Sequence, residues 1–155
     1  MKDHPPTCSI PDGRTFYSES TARVNDKNLT DNAEALSKLC DRIRKLDRRI
    51  RHVGRYDRLG RILYDSIREN RTPLEGTEEM HILNGTVASM LNLWLPANSL
   101  LGKIESFIMT REKIVALIVP HTDKDYFLVV FEGGSPLKVV EQTRTKLLRG
   151  VALIQ

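Results

Sequence analysis

Apolar side chains fall at Leu36, Leu39, Cys40, Ile43 and Leu46, spacings of three and four that put them on one face of a helix. Asp31 with Glu34 three residues on reads as a capping box at its start. Lys38, Arg42, Lys45 and Arg49 flank one side of the stripe and Arg44, Arg48 and Arg51 the other. The run Arg49–Asp65 then reads as two short strands around the turn Asp57-Arg58-Leu59-Gly60. Asp opens such a turn by capping backbone amides, and Gly closes it by accepting positive φ. A polar connection from Ser66 to Gly76 leads to Thr77, an N-cap for a second helix. Met80, Leu83, Val87, Met90, Leu91 and Trp94 form that helix's stripe, and Pro96 ends it. The stripe is either core or a partner surface.

Beyond Pro96 the period changes. Lys103–Thr110 alternates in part, and Ile114–Val119 and Tyr126–Phe131 are continuous apolar runs rich in β-branched and aromatic residues. Their length and composition suit strands covered on both faces, and the short links between them suit an antiparallel meander. Ser135 followed by Pro136 signals a last helix, N-cap then first turn. Leu137, Val140, Leu147 and Val151 face inward on this reading, and Gly150 is the stop. The expectation is an α+β fold of order α-β-β-α-β-β-β-α. Residues 1–29, with Pro5, Pro6, Pro11 and Gly13 and no sustained period, read as a flexible tail ahead of a domain spanning 30–155.

Size and composition add bounds rather than an activity. The 155 residues suit one domain, and no apolar run reaches the roughly 18 residues of a membrane span. Cys8 and Cys40 make neither a disulfide framework nor a zinc spacing, so a reducing, cytoplasmic setting is expected. The net charge of +4 is uneven: residues 42–71 hold eleven cations against four acids. Arg42, Lys45, Arg48, Arg49, Arg51, Arg55, Arg58 and Arg61 could therefore form one basic surface for phosphates, with Tyr56 or Tyr64 stacking on a base. A solvated face that maintains solubility accounts for the same charges.

The order of elements resembles the roadblock (dynein light chain) superfamily of profilin-like domains. Ile50–Asp65 with its Asp-Arg-Leu-Gly turn, the helix from Thr77, and the final meander and helix carry the likeness. More narrowly, Leu39-Cys-Asp-Arg-Ile43, Val53-Gly54 with Asp57-x-x-Gly60, and Arg111-Glu-Lys113 resemble a family of small archaeal proteins. The resemblance implies a five-stranded antiparallel sheet sandwiched by helices, the second helix on one face and the terminal ones on the other. It also implies dimers paired through second helices and edge strands, and a non-catalytic platform for itself, a homologous roadblock protein or a small GTPase.

Catalytic signatures are missing from the sequence. His4, His52, His81 and His121 complete no metal-ligand pattern, and no phosphate loop, dinucleotide fingerprint or nucleophile elbow occurs. Cys40 has the phase of a core residue. The Gly133-Gly134-Ser135 step reads as a strand-to-helix turn before it reads as an anion site. The expectation is a non-enzymatic, dimeric interaction module without a cofactor. Its stripe Met80, Leu83, Val87, Met90, Leu91 and Trp94 would meet the partner. The alternatives are nucleic-acid binding through the basic segment and small-ligand sensing within a profilin-like fold. Insertion into a membrane is not expected, because the first helix lacks a bulky aromatic face.

Overall fold

The computed structural model describes residues 26–69 and 77–154; of the expected tail at 1–29, residues 1–25 lie outside them and 26–29 belong to the first helix. Four helices and five strands follow in chain order: α1 (Asp26–Arg44), β1 (Ile50–Asp57), β2 (Ile62–Ile67), α2 (Thr77–Trp94), the short α3 (Asn98–Leu101), β3 (Phe107–Thr110), β4 (Ile114–Pro120), β5 (Asp125–Glu132) and α4 (Leu137–Ala152). The strands form one antiparallel sheet in the order β2-β1-β5-β4-β3. This is the expected architecture, with α3 and a 3-10 turn at Leu95–Ala97 added where Pro96 stops α2.

Alternation along the strands divides the core into two layers. Val115, Leu117 and Val119 of β4 and Phe127, Val129 and Phe131 of β5 pack with Leu36, Leu39, Cys40 and Ile43 of α1 and Val140 and Leu147 of α4. The intervening Ile114, Ala116, Ile118, Tyr126, Leu128 and Val130 pack with Val87, Ala88 and Leu91 of α2. Both central strands are thus covered on two faces, which is why their sequences run apolar without a break.

The β1–β2 turn follows its local chemistry. Asp57 Oδ1 accepts from the amides of Leu59 and Arg61, each at 2.9 Å, and Gly60 has φ 79°. Gly60 is also the seat of α2: a Cβ there would lie 2.8 Å from the Asn84 carbonyl carbon and oxygen. One strand further in, the Tyr56 ring lies along β1 over Gly54, so a Cβ at 54 would come within 2.5 Å of Tyr56 Cε2.

Several helix ends depart from expectation. The helix α1 begins at Asp26, so the Asp31–Glu34 pair is internal, and Glu34 instead bonds Lys38 one turn on. It stops at Arg44 although the apolar period continues to Leu46, which is 41% exposed. There the chain tightens into a turn, Lys45 N and Leu46 N donating to the carbonyls of Arg42 and Ile43 at 3.2 and 3.0 Å, while the Arg68 guanidinium donates to the carbonyls of Arg44, Asp47 and Ile50 at 2.8–2.9 Å. Arg48, Arg49 and Arg51 consequently lie in the turn and on β1 rather than on a helix flank. Ser66, expected in a connection, is buried in β2, donating to Asp41 Oδ1 at 2.6 Å and accepting from Arg44 Nε at 2.8 Å. In α4 the N-cap is Pro136, not Ser135; Leu137 is exposed and Gly150 lies within the helix.

Candidate protein-interaction surface

Three and four-residue spacing gives α2 an inward and an outward side. Asn84, Val87, Ala88 and Leu91 are buried against the sheet. A polar seam holds the helix there: the Tyr126 hydroxyl donates to the Asn84 carbonyl at 3.2 Å, and Asn92 exchanges hydrogen bonds with the Arg58 side chain and carbonyl at 3.3 and 3.2 Å. The outward side carries Ile82, Leu93 and Trp94, which remain 64%, 77% and 48% exposed. Between α2 and β3 runs an open groove of about 240 Å³, walled by Ile82, Thr86 and Met90 of the helix and Met109 and Arg111 of the sheet.

Beside the groove, β3 is an edge of the sheet among the described residues. The bond from Arg111 N to Ile114 O at 2.8 Å and the pairs Met109↔Ala116 and Phe107↔Ile118 set the hydrogen-bonding phase. The backbone groups of Ile108 and Thr110 therefore point away from β4. From Phe107 to Thr110 this edge holds no charged side chain. An edge without charge beside an exposed apolar helix face is suited to strand and helix pairing with another chain.

The six residues expected to meet a partner divide between the two sides. Val87 and Leu91 belong to the core; Met80, Leu83 and Met90 are half-buried and Trp94 is exposed. Sequence period alone missed Ile82 and Leu93, because they fall one position off the continuous stripe. It also missed Leu100 and Leu101, exposed at 86% and 73% on α3.

The eight cations are not gathered into one site. Arg49 bonds Asp47 at 2.7 Å, Arg55 bonds Asp125 at 2.6 Å, Arg61 bonds Asp57 at 2.6 Å, and Arg58 lies 3.8 Å from Asp123. Arg42, Lys45 and Arg48 are exposed around the end of α1, and Arg51 is half-buried on β1. The seven strand steps of β1, which separate the Arg49 end from the Arg58 end, span about 23 Å, about two Debye lengths at 0.1 M salt. Four of the eight cations thus meet acids locally, and three others lie exposed around the end of α1.

Two histidines meet acids. The His52 ring contacts Asp65 through Nε2, which also lies 3.1 Å from the Tyr56 hydroxyl. Burial raises the Tyr56 pKa, with the Asp65 charge adding to it. His121 bonds Asp125 at 3.1 Å, and Thr122 and Arg55 bond the same carboxyl. Burial works to raise the Asp125 pKa, but the hydrogen bonds from His121, Thr122 and Arg55 outweigh it and hold the group well below the usual carboxylate range. The arrangement staples the β4–β5 turn to β1. Cys40 is fully buried, and burial pushes its thiol up to about 12, which suppresses the nucleophilic thiolate. Among the described residues no helix is long and apolar enough to cross a membrane.

Neither a family profile nor a curated protein matches the sequence. Solved structures do resemble the fold. The gliding protein MglB from Thermus thermophilus superposes with a TM-score of 0.64 at 16% identity, over 79% of this chain and 90% of that one. A structure of MglB with a tetrameric arrangement gives 0.63 at 18% identity, over 79% and 89%. A Roadblock/LC7 domain from Streptomyces avermitilis gives 0.57 at 7% identity, over 76% and 92%. With its strand order, its two-layer core and these neighbours, the chain has a roadblock-like fold.

Proposed function

We propose that this chain is a non-catalytic protein-interaction module that self-associates through the outer side of α2 and the β3 edge. The observation that carries the reading is the set of exposed or half-buried apolar side chains Ile82, Met90, Leu93 and Trp94 beside an uncharged edge strand. Buried in water-free contact, such side chains each contribute on the order of 1.5–3 kcal/mol. Methionine lining the groove on both sides suits a surface that adapts to its partner. The tetrameric arrangement of a similarly folded protein supports assembly between copies. A homologous roadblock-like chain fits the same surface, and a small GTPase is the regulated partner that the resemblance implies.

Sedimentation velocity of the full chain tests the reading. The expected result is a concentration-dependent dimer. Leu93→Asp should weaken it about thirtyfold, about 2 kcal/mol, as expected for a central contact, and Met90→Asp and Trp94→Ala should weaken it less. A monomer at high concentration, indifferent to all three changes, refutes it. The nucleic-acid alternative is disfavoured by the pairing of Arg49, Arg55 and Arg61 with carboxylates, which leaves them little charge for phosphates.

A further inference from the structure

The face of the sheet opposite α2 is covered by α1 and α4. The chain leaves α1 at the end of the sheet where β1 begins and enters α4 where the neighbouring β5 ends, so the two helices run in opposite directions. They meet closely where a Cβ at Gly150 would come within 2.4 Å of Leu39 Cδ1. Leu39 and Ile43 of α1 and Leu147 and Val151 of α4 turn to the sheet. Helical spacing then sends Lys38, Arg42 and Lys45 outward along one helix and Lys138, Lys146 and Arg149 outward along the other, all of them exposed. Glu34 bonds Lys38 at 2.6 Å. The other five cations make no ion pair among the described residues. The nearby acids are engaged elsewhere, Asp41 by Tyr64 and Ser66 of β2 and Glu141 by Arg144 at 2.8 Å. Arg42 and Lys146 each lie about one turn from the Leu39–Gly150 contact and, in antiparallel helices, on the same side of it. Lys138 stands in the first turn of α4, which holds no acid. A cation there opposes the helix dipole, so helix stability does not account for it.

We infer that the outward face of α1 and α4 is a docking surface for a bilayer of anionic phospholipid, met at the level of the headgroups. Each lysine or arginine close to such a bilayer adds its own attraction, so unpaired cations spread over two neighbouring helices sum across the face. The apolar part of the face decides between anionic partners. Leu153, four residues beyond Arg149 on the same side of α4, is 88% exposed. Leucine beside cations matches a surface that has acyl chains beneath its phosphates. A nucleic-acid backbone offers that leucine nothing, and neither helix contains an aromatic residue on which a base would stack. This face lies across the sheet from α2, so it is separate from the surface proposed for self-association and does not depend on it.

Co-sedimentation of the full chain with vesicles tests it, with phosphatidylcholine alone, with phosphatidylcholine mixed with phosphatidylserine, and with binding to a mixed-sequence DNA duplex measured alongside. The chain should bind the mixed vesicles and not phosphatidylcholine alone, and the binding should weaken as salt is raised. Arg42→Gln, Lys146→Gln and Arg149→Gln should each weaken it about fivefold, the scale of one cation at a charged surface. Leu153→Ser should weaken it about threefold, for partial burial of one leucine. Arg61→Gln, which removes an exposed cation at the β1–β2 hairpin that is already paired with Asp57, should change it less than about twofold. No binding to the mixed vesicles, or equal binding to both kinds, overturns the inference. An equal loss in Arg61→Gln also overturns it, because net charge rather than this face would then be responsible. So does a duplex bound more tightly than the vesicles at the same salt, with Leu153→Ser weakening neither, which would give the face to nucleic acid.

Discussion

The two edges of the sheet are secured by different physics. At the β3 edge the strand is short and apolar, and Phe107, Met109 and the neighbouring Leu83 join the α2 layer by packing alone. At the β2 edge the contacts are polar and long-range. Asp41 accepts from Tyr64 and Ser66, Arg44 donates to Ser66, and Arg68 spans three carbonyls from the far end of the strand. Packing is forgiving about register and adapts to a new neighbour, whereas hydrogen bonds fix one geometry. One sheet thus has a soft edge held by packing and a pinned edge held by hydrogen bonds.

The sharpest way to break the pinned side is Arg68→Met, which keeps much of the side chain's bulk and removes its donors. Three charge-assisted bonds to half-buried carbonyls are lost, and unfolding by denaturant should show about 3 kcal/mol less stability. A loss under about 1 kcal/mol would mean that water replaces the guanidinium at the end of α1.

Acid separates the edges more gently. Hydrogen bonds from Ser66 and Tyr64 outweigh burial to lower the Asp41 pKa, and the Arg49 side chain brings Asp47 down to about 2. Both carboxyls thus have folded pKa values below their unfolded ones. Their contribution is fully present above about pH 4 and is lost as pH falls toward about 2. Protection of the β2 amides, taken relative to the intrinsic exchange rate at each pH, should fall over that window before it does in β4, through Asp41, whose carboxyl accepts from Tyr64 and Ser66 of β2. Simultaneous loss of protection would show that Asp41 does not hold β2 separately.

The smallest effect is expected from Thr110→Asp, which gives β3 the kind of charge that β2 already carries. Self-association should weaken about fivefold, about 1 kcal/mol, with the fold unchanged by circular dichroism. Unaltered association would place the contact on α2 alone.

What could be read from the sequence was what local chemistry controls. The Asp57–Gly60 turn, the start of α2 at Thr77 and the doubly covered β4 and β5 each follow from residues within a few positions of one another. The partner of the last carbonyl of α1 could not be read there, because it is Arg68, 24 residues beyond Arg44. The pairing within the basic run was hidden for the same reason: the acids beside Arg55 and Arg58, Asp125 at the start of β5 and Asp123 in the turn before it, come from far along the chain. On α2 the period located the helix but not how much of each side chain the sheet covers. Ile82 and Leu93 became visible only once α2 was seated.

That seat has an evolutionary and practical consequence. Hairpin tips are ordinarily where a chain accepts an extra residue or an affinity tag, because nothing rests on them. Here the backbone of Gly60 bears directly on the backbone of Asn84 and Gly85. One inserted residue would tilt a whole helix, and with it the face offered to partners. The length of this turn is therefore a dimension of the proposed binding surface, and descendants of this chain are free to vary its exposed Leu59 side chain far more readily than its count of residues.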